Sequence, residues 1–325
     1  MRATARNKMA DHLGPSDAVH TPVMSRQVLD LMLCKPGGIY VDATIGLGGH
    51  AEAILEKIQP GGQLIGIDRD KESLEKVQAR LQAFAPGLRL IHDNYKNLPL
   101  ILNNLAGPPV DGILVDLGVS SYQLLSPERG FSFQSNVKLD MRMDRTQKWT
   151  AADLVNKLPE NELADIIYRY GEERLSRRIA AAIVQERRKA PITSCVQLAE
   201  VISRVLKARG QQGIHPATRT FQALRIAVNE ELEGLEEFFL EAFGFLKPGG
   251  RLVVIAFHSL EDRIVKRVFR KLAGQCICDA PPELCTCPRQ ELAVLITHRP
   301  MTPGPEELAS NPRARSARLR SLERL

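Results

Sequence analysis

Several absences narrow the class of this sequence before any motif is read. No run of about 18 uninterrupted apolar residues occurs in its 325 residues, which excludes a transmembrane helix. The start carries no charged, apolar, small-residue triplet, so no secretory signal is expected and the predicted compartment is cytoplasmic and reducing. Aromatic residues make up only 5% of the chain, too few to hold a nucleic-acid strand on aromatic platforms alone. Internal repeats are also missing. At this length a hydrophobic core suffices without disulfides.

What is present is ordinary for a soluble globular protein: 44% hydrophobic and 25% charged residues, with 44 cations against 38 anions for a net charge of +6. Length alone suggests two domains. The first half alternates short apolar strands (Gly38 to Asp42, Gln63 to Asp68, Leu88 to His92, Val110 to Asp116) with helical patterns near His50 to Ile58, Lys71 to Phe84 and Tyr95 to Leu105. That alternation predicts βαβ units and a doubly wound parallel sheet. No strand pattern is found from Thr150 to about Leu206, where Thr150 with Asp153, Pro159, and Ser194 with Gln197 mark helix starts. A long helix is expected from Pro216, with Phe221, Leu224, Val228, Leu232, Leu235, Phe239 and Ala242 on one face, before the turn Lys247-Pro248-Gly249-Gly250. An apolar strand Arg251 to Phe257, a helix Leu260 to Ala273 and a strand Leu292 to Thr297 follow. The expected architecture is therefore α/β: a discontinuous sheet domain, residues 19–146 and 216–325, with an inserted all-helical subdomain, residues 147–215, and a disordered lead-in, residues 1–18.

Asp42-Ala43-Thr44-Ile45-Gly46-Leu47-Gly48-Gly49-His50 follows the first strand and opens a helix. Glycines there let the backbone approach a ligand, and the helix start offers free N–H groups. Asp68 ends the next strand, where an acid can grip the two hydroxyls of a nucleoside ribose. The glycine spacing does not match G-x-G-x-x-G, so a pyrophosphate is poorly served. A turn flanked by Asp42 and Asp116 suits a cationic sulfonium, hence S-adenosylmethionine, better than a dinucleotide. The Leu246-Lys247-Pro248-Gly249-Gly250-Arg251-Leu252 turn before an apolar strand is similar to the same element of class I, Rossmann-like methyltransferases.

Longer strings then point to one family. They are His20-Thr21-Pro22-Val23-Met24, the Asp42 to His50 turn, Asp116-Leu117-Gly118-Val119-Ser120-Ser121 with Gln123, and Pro127-Glu128-Arg129-Gly130-Phe131-Ser132-Phe133. Asp140-Met141-Arg142-Met143-Asp144, Thr218 to Arg225, Phe257-His258-Ser259-Leu260-Glu261-Asp262-Arg263 and Asn311-Pro312-Arg313-Ala314-Arg315-Ser316 continue in the same order. With these the chain resembles the bacterial ribosomal small-subunit RNA (cytosine-N4)-methyltransferases, the MraW or RsmH family. The resemblance implies a class I methyltransferase domain with a helical insertion. It implies methyl transfer to N4 of a cytidine in the decoding region of 16S rRNA, within the small ribosomal subunit and away from any membrane. Carried over by motif, the cofactor contacts are Gly48, Gly49, His50, Asp68, Tyr95, Asp116 and Gln123, with Tyr95 stacking on adenine or packing its own helix.

A cytosine amine is a weak nucleophile because its lone pair is delocalised into the ring. It needs alignment and an acceptor for its N–H rather than a covalent partner. Neither Cys34 nor Cys195 follows a proline, which argues against carbon-5 chemistry. The Pro-Pro-aromatic signature of DNA amino-methyltransferases is missing after the fourth strand, so Asp116, Ser120 and Ser121 are the candidate acceptors, the serines alternatively capping the loop. Asp140 and Arg142 either read the base or form an ion-paired hinge, and His258 either touches substrate or adds structural polarity. Arg263, Lys266, Arg267 and Arg270, with Lys271, line one helix face and read as phosphate contacts or as a solvated face. The arginines from Arg313 to Arg324 read as a flexible RNA arm or a solubilising tail. Cys276, Cys278, Cys285 and Cys287, as C-x-C, six residues, C-x-C, are candidate ligands of a structural zinc. A small-molecule methyltransferase, a non-catalytic RNA-binding assembly factor and, more distantly, a nicotinamide oxidoreductase remain as alternatives. Oligomeric state is not legible.

Overall fold

The computed structural model of the chain describes residues 22–325, apart from 106, 108, 134–135, 207–214, 279–283 and 287–288, and omitting the side chains of Ser121 and Leu125. The lead-in 1–18, His20, Thr21 and Cys287 lie outside the described residues.

Seven strands form one sheet in the order β3-β2-β1-β4-β5-β7-β6. They are β1 Ile39–Asp42, β2 Gln63–Asp68, β3 Leu88–His92, β4 Val110–Asp116, β5 Leu246–Ala256, β6 Ala293–Leu295 and β7 Arg318–Arg324. The first five are parallel, and β7 runs antiparallel between β5 and β6. Strands covered on both faces read as continuous apolar runs. In β5, Leu252, Val254 and Ala256 face one side, where α4 (Leu98–Asn104), α11 (Leu235–Gly244) and α12 (Ser259–Leu272) pack. Val253 and Ile255 face the other, against α1 (Ser25–Met32), α2 (Gly49–Ile58) and α3 (Lys71–Arg80). The sheet is doubly wound, so its carboxyl edge gathers the loops after β1, β2 and β4 at one end.

A third core is built mainly by helices, with Leu139, Met141 and Ile192 from the connecting segments. It joins α6 (Ala151–Lys157), α7 (Glu160–Gly171), α8 (Ser176–Arg187), α9 (Cys195–Leu206) and α10 (Thr218–Asn229) through Leu154, Leu163, Ile167, Ile179, Ile183, Leu198, Ile202 and Leu224. Thr150 caps α6 in a reciprocal box with Asp153, and Ser194 Oγ accepts from Gln197 N ahead of α9. The two short helices α5 (Ser121–Leu125) and α13 (Pro305–Ser310) complete the set among the described residues.

Two expectations fail here. The long helix from Pro216 is broken: α10 ends at Asn229, Glu230 takes φ 50°, and α11 restarts after Gly234 at φ 65°. The left-handed Glu230 and Gly234 end one helix and start the other. The arginine tail is neither an arm nor a solubilising extension. Its last seven-residue stretch is β7, an internal strand. Arg320 is buried and donates from Nε to Asp262 Oδ1 at 2.7 Å, Arg318 donates to Asp262 Oδ2 at 2.9 Å, and Arg251 on β5 donates to Glu323 at 2.9 Å. Arg318 and Arg320 thus neutralise an acid of the fold, whereas Arg313 and Arg315 are exposed.

Candidate active site

The turn after β1 is held by backbone bonds on three sides. Ala43 N donates to Leu114 O, Ile45 N to Ile67 O, and Gly46 N to Asp68 Oδ2 at 2.8 Å. Two of its glycines occupy left-handed φ, and for different reasons. Gly46, φ 53°, faces open space: a methyl placed there would have Ser120 Cβ as its nearest side-chain atom, 3.8 Å away. Gly48, φ 77°, is wedged against Val77 of α3 and Leu81 just past its end, where a methyl would sit within 3.4 Å of both. Gly48 thus packs the turn onto its neighbouring helix, whereas Gly49 opens α2 and His50 follows it.

These groups border a cavity of about 390 Å³. Of the residues expected to contact cofactor, Gly49, His50, Asp68, Tyr95, Asp116 and Gln123 line it, while Gly48 does not. Asp68 accepts from Gly46 N and, through Oδ1, from Asp70 N at 2.8 Å. Tyr95 is buried with its ring edge-on to Phe238, centroids 4.9 Å apart. Gln123 donates to Asp70 Oδ2 at 2.9 Å and accepts from Ser120 N, while Ser120 Oγ accepts from Gln123 N. That capping box fixes Ser120 at the start of α5 on the cavity wall. The side chain of Ser121 lies outside those described.

Asp68 and Asp116 make the floor acidic, with Asp42 buried behind it and off the cavity lining. Burial pushes the Asp42 carboxyl up to about 7, a rise to which nearby Asp68 adds. Asp116 is held well above the ordinary carboxylate range, first by burial, then by Asp42 and Glu261. Its backbone N donates to Thr44 Oγ1 at 2.7 Å, and His50 Nε2 lies 3.7 Å from its Oδ2. Asp116 Oδ1 is shielded from solvent and accepts no hydrogen bond from a described residue. Buried acids crowded in this way favour a bound cation, which restores the ionised forms.

The roof is apolar and carried no assignment from sequence. Phe131, Phe133, Met141, Met143, Phe221 and Phe257 line it, with Gln222, Arg225 and, from the tail, Arg313 and Ser316. Asn229 holds the methionine segment in place. Its Nδ2 donates to Met141 O, its Oδ1 accepts from Met143 N, both at 2.8 Å, and Nδ2 also donates to Arg225 O. Buried Arg129 braces the same segment through Met143 O at 2.8 Å and an ion pair with Asp70. Phe133 stacks on His215, with centroids 4.3 Å apart, and meets Phe221 edge-on. Arg225 forms a two-pronged pair with Glu231 at 2.8 and 2.9 Å.

Of the other candidates, all but His258 stand off the cavity. Asp140 and Arg142 are bound to each other through two bonds of 2.7 and 2.8 Å, and Arg142 also donates to Arg145 O and Gln147 O. The two side chains thus satisfy each other as an ion pair. His258 does line the cavity, but as the cap of α12: its Nδ1 accepts from Glu261 N. Arg263 and Arg267 on α12 pair with Glu172 and Glu236, Arg270 reaches Gln275, and Lys266 is exposed.

Strands in this order, with one antiparallel member between fifth and sixth, define a class I methyltransferase. The acid-lined turn lies at the carboxyl edge of this sheet and borders its cavity. Comparison of sequences narrows this further: the chain belongs to the MraW methylase family, whose profile matches residues 17–325. Relatives named "Ribosomal RNA small subunit methyltransferase H" include one from Pelobacter propionicus, 51% identical over 94% of this chain and 98% of its own length. Another from Geobacter sulfurreducens is 50% identical over 94% and 99%, and one from Halothermothrix orenii 49% over 94% and 98%. Solved structures are far looser matches. An rRNA methylase from Streptococcus thermophilus is 12% identical with a TM-score of 0.38, covering 93% of both chains. A SAM-dependent O-methyltransferase from Thermotoga maritima is 8% identical with a TM-score of 0.41, covering 93% of this chain and 64% of its own.

Proposed function

We propose that this enzyme methylates the N4 exocyclic amine of a cytidine in the decoding region of 16S rRNA, presented by the small ribosomal subunit in the cytoplasm. The observation that carries the chemistry is Asp116 Oδ1, a buried acceptor without a donor among the described residues, set between the glycine turn and an apolar, aromatic roof. The family and the names of the relatives support the RNA substrate. Asp68 would hold the ribose hydroxyls of S-adenosylmethionine, Tyr95 and the Gly46 and Gly49 backbone its flanks, and the Asp42 and Asp116 carboxylates its positive end. When bound, it supplies an activated methyl on a cationic sulfur.

The roof's flat apolar groups would receive the flipped base. Asp116 Oδ1 would accept one N–H of the amine, aim the nitrogen lone pair at the methyl, and take the proton that nitrogen sheds as the N–C bond forms and the S–C bond breaks. A carboxyl raised by burial is a suitable proton acceptor. Ser120 serves this loop as a cap. We take the helical set with Leu139, Met141 and α10 as one unit, which presents the roof to the RNA. The exposed cations of α12 would meet phosphate.

The test is methyl transfer from labelled S-adenosylmethionine to small subunits lacking their native methylations, read by nucleoside mass analysis. N4-methylcytidine should appear with the wild type and be lost with Asp116→Ala that remains folded and binds cofactor. A different methylated nucleoside would discard the N4 assignment, and label in small molecules but never in RNA would discard the substrate.

A further inference from the structure

Between α12 and β6 the chain makes an excursion that the methyl-transfer site does not use. Its base is pinned: Ala273 pairs with Glu291 in an antiparallel bridge, and Leu292 N donates to Leu272 O at 2.8 Å. Gly274 turns the chain outward at φ 67°, with no space for a side chain between Glu291 and Arg289. From Gly274 to Leu292 no described residue is buried, and Leu284, the one large apolar side chain near the tip, is 71% exposed. The described residues of this loop bury no apolar side chain that would hold its shape.

Its cysteines nevertheless converge. Cys276 Sγ lies 3.3 Å from Cys278 Sγ and 3.3 Å from Cys285 Sγ, and Cys278 and Cys285 are 3.6 Å apart. A disulfide requires about 2.05 Å. Tetrahedral thiolates around zinc, at about 2.3 Å from the metal, stand about 3.8 Å from one another. The observed triangle is close to the second geometry and far from the first. A C-x-C pair also points two sulfurs to one side of a tight turn, which suits a shared ion.

We propose that Cys276, Cys278 and Cys285 bind one zinc ion, which fastens this loop to the end of α12. Three thiols lose their protons to solvent as three Zn–S bonds form, with no change in oxidation state. The site is structural. The three ligands lie off the cavity that holds Asp116, so the proposal does not depend on the reading of that cavity. Cys287, two residues beyond Cys285 in the sequence, lies outside the described residues and is not counted as a ligand.

The full-length protein should be purified under reducing conditions, reconstituted with zinc and dialysed, and its metal content measured. One zinc per chain is expected, falling at least tenfold in Cys276→Ser and in Cys285→Ser but unchanged in Cys34→Ser. Cobalt(II) in place of zinc should give intense sulfur-to-metal charge-transfer absorption in the wild type. Chelation should speed proteolytic cleavage within residues 275–291 alone. Substoichiometric zinc, a cobalt spectrum without charge-transfer bands, or a disulfide among the three cysteines in alkylation mapping of the protein as purified would each overturn the assignment. The cobalt spectrum and the mapping use wild-type protein, so a variant that fails to fold does not spare the proposal.

Discussion

The floor and the roof of the cavity are built by opposite means. The floor is backbone and carboxylate: a nine-residue turn, one strand-end acid from β2 and one from β4, all fixed by the sheet's own hydrogen bonds. The roof is side chain: phenylalanines and methionines from the segment before α6, from α10 and from just past the end of β5, with Arg313 and Ser316 from the tail, the methionine segment held by Asn229 and Arg129. A floor of fixed dipoles and crowded acids is suited to one small cationic ligand. A roof assembled from separate elements is suited to a flat base delivered from a large partner. The lesson is that cofactor and acceptor can be disturbed separately.

The largest expected effect is on the floor. Asp116→Asn keeps the shape but removes the proton acceptor, and should lower the rate of methyl transfer by about 10²–10³-fold, measured in single-turnover assays. The same variant tests the electrostatics. Folded-state Asp42 and Asp116 lie above their ordinary values, so the native apoprotein holds more protons than the unfolded chain as pH rises from about 4, a window that closes near pH 7 for Asp42. Stability from this pair therefore falls as pH rises through that window, and Tm of Asp116→Asn should fall less over the same range. Cofactor affinity should climb as pH rises toward and past 7, because binding a cation favours the ionised acids.

A disturbance of the roof's support comes next. Asn229→Ala removes three buried hydrogen bonds and should cost about 2–4 kcal/mol in denaturant unfolding. It should raise KM for the RNA substrate while leaving the Kd for S-adenosylmethionine within about twofold. Phe133→Ala should act in the same direction and more gently, about tenfold in kcat/KM for RNA, since it removes one stacked wall. The smallest effect belongs to the charges that face outward. Arg263→Ala breaks an exposed pair with Glu172 and should change stability by less than about 1 kcal/mol, with a modest, salt-dependent rise in KM for RNA.

The same contrast explains what could be read in the sequence. Strands β1 to β4 and the glycine turn were legible because each is a local pattern: an apolar run, ending on an acid in β1, β2 and β4, then a turn. Helix starts at Thr150 and Ser194 were legible for the same reason. Where a residue's role is set by a distant partner, local reading failed. The closing arginines looked like an arm because Asp262, which holds Arg318 and Arg320, is over fifty residues away in sequence. Their alternation with Leu319, Ser321 and Leu322 is a strand pattern that was available but outweighed by charge. Asn229 passed as one more position in a long helix, since its amide is spent on Met141 and Met143, far earlier in the chain. The apolar roof gave no local signal, because phenylalanines that line a cavity and phenylalanines that fill a core have the same spacing.

One measurement tests the separation of floor and roof most directly: calorimetric titration of S-adenosylmethionine into wild type, Asp68→Asn and Asn229→Ala, with RNA methylation measured on the same samples. The account predicts that Asp68→Asn weakens cofactor binding by about 10–100-fold, whereas Asn229→Ala binds cofactor as the wild type does and loses methylation of RNA. Equal loss of cofactor affinity in both variants, each shown to be folded, would contradict it.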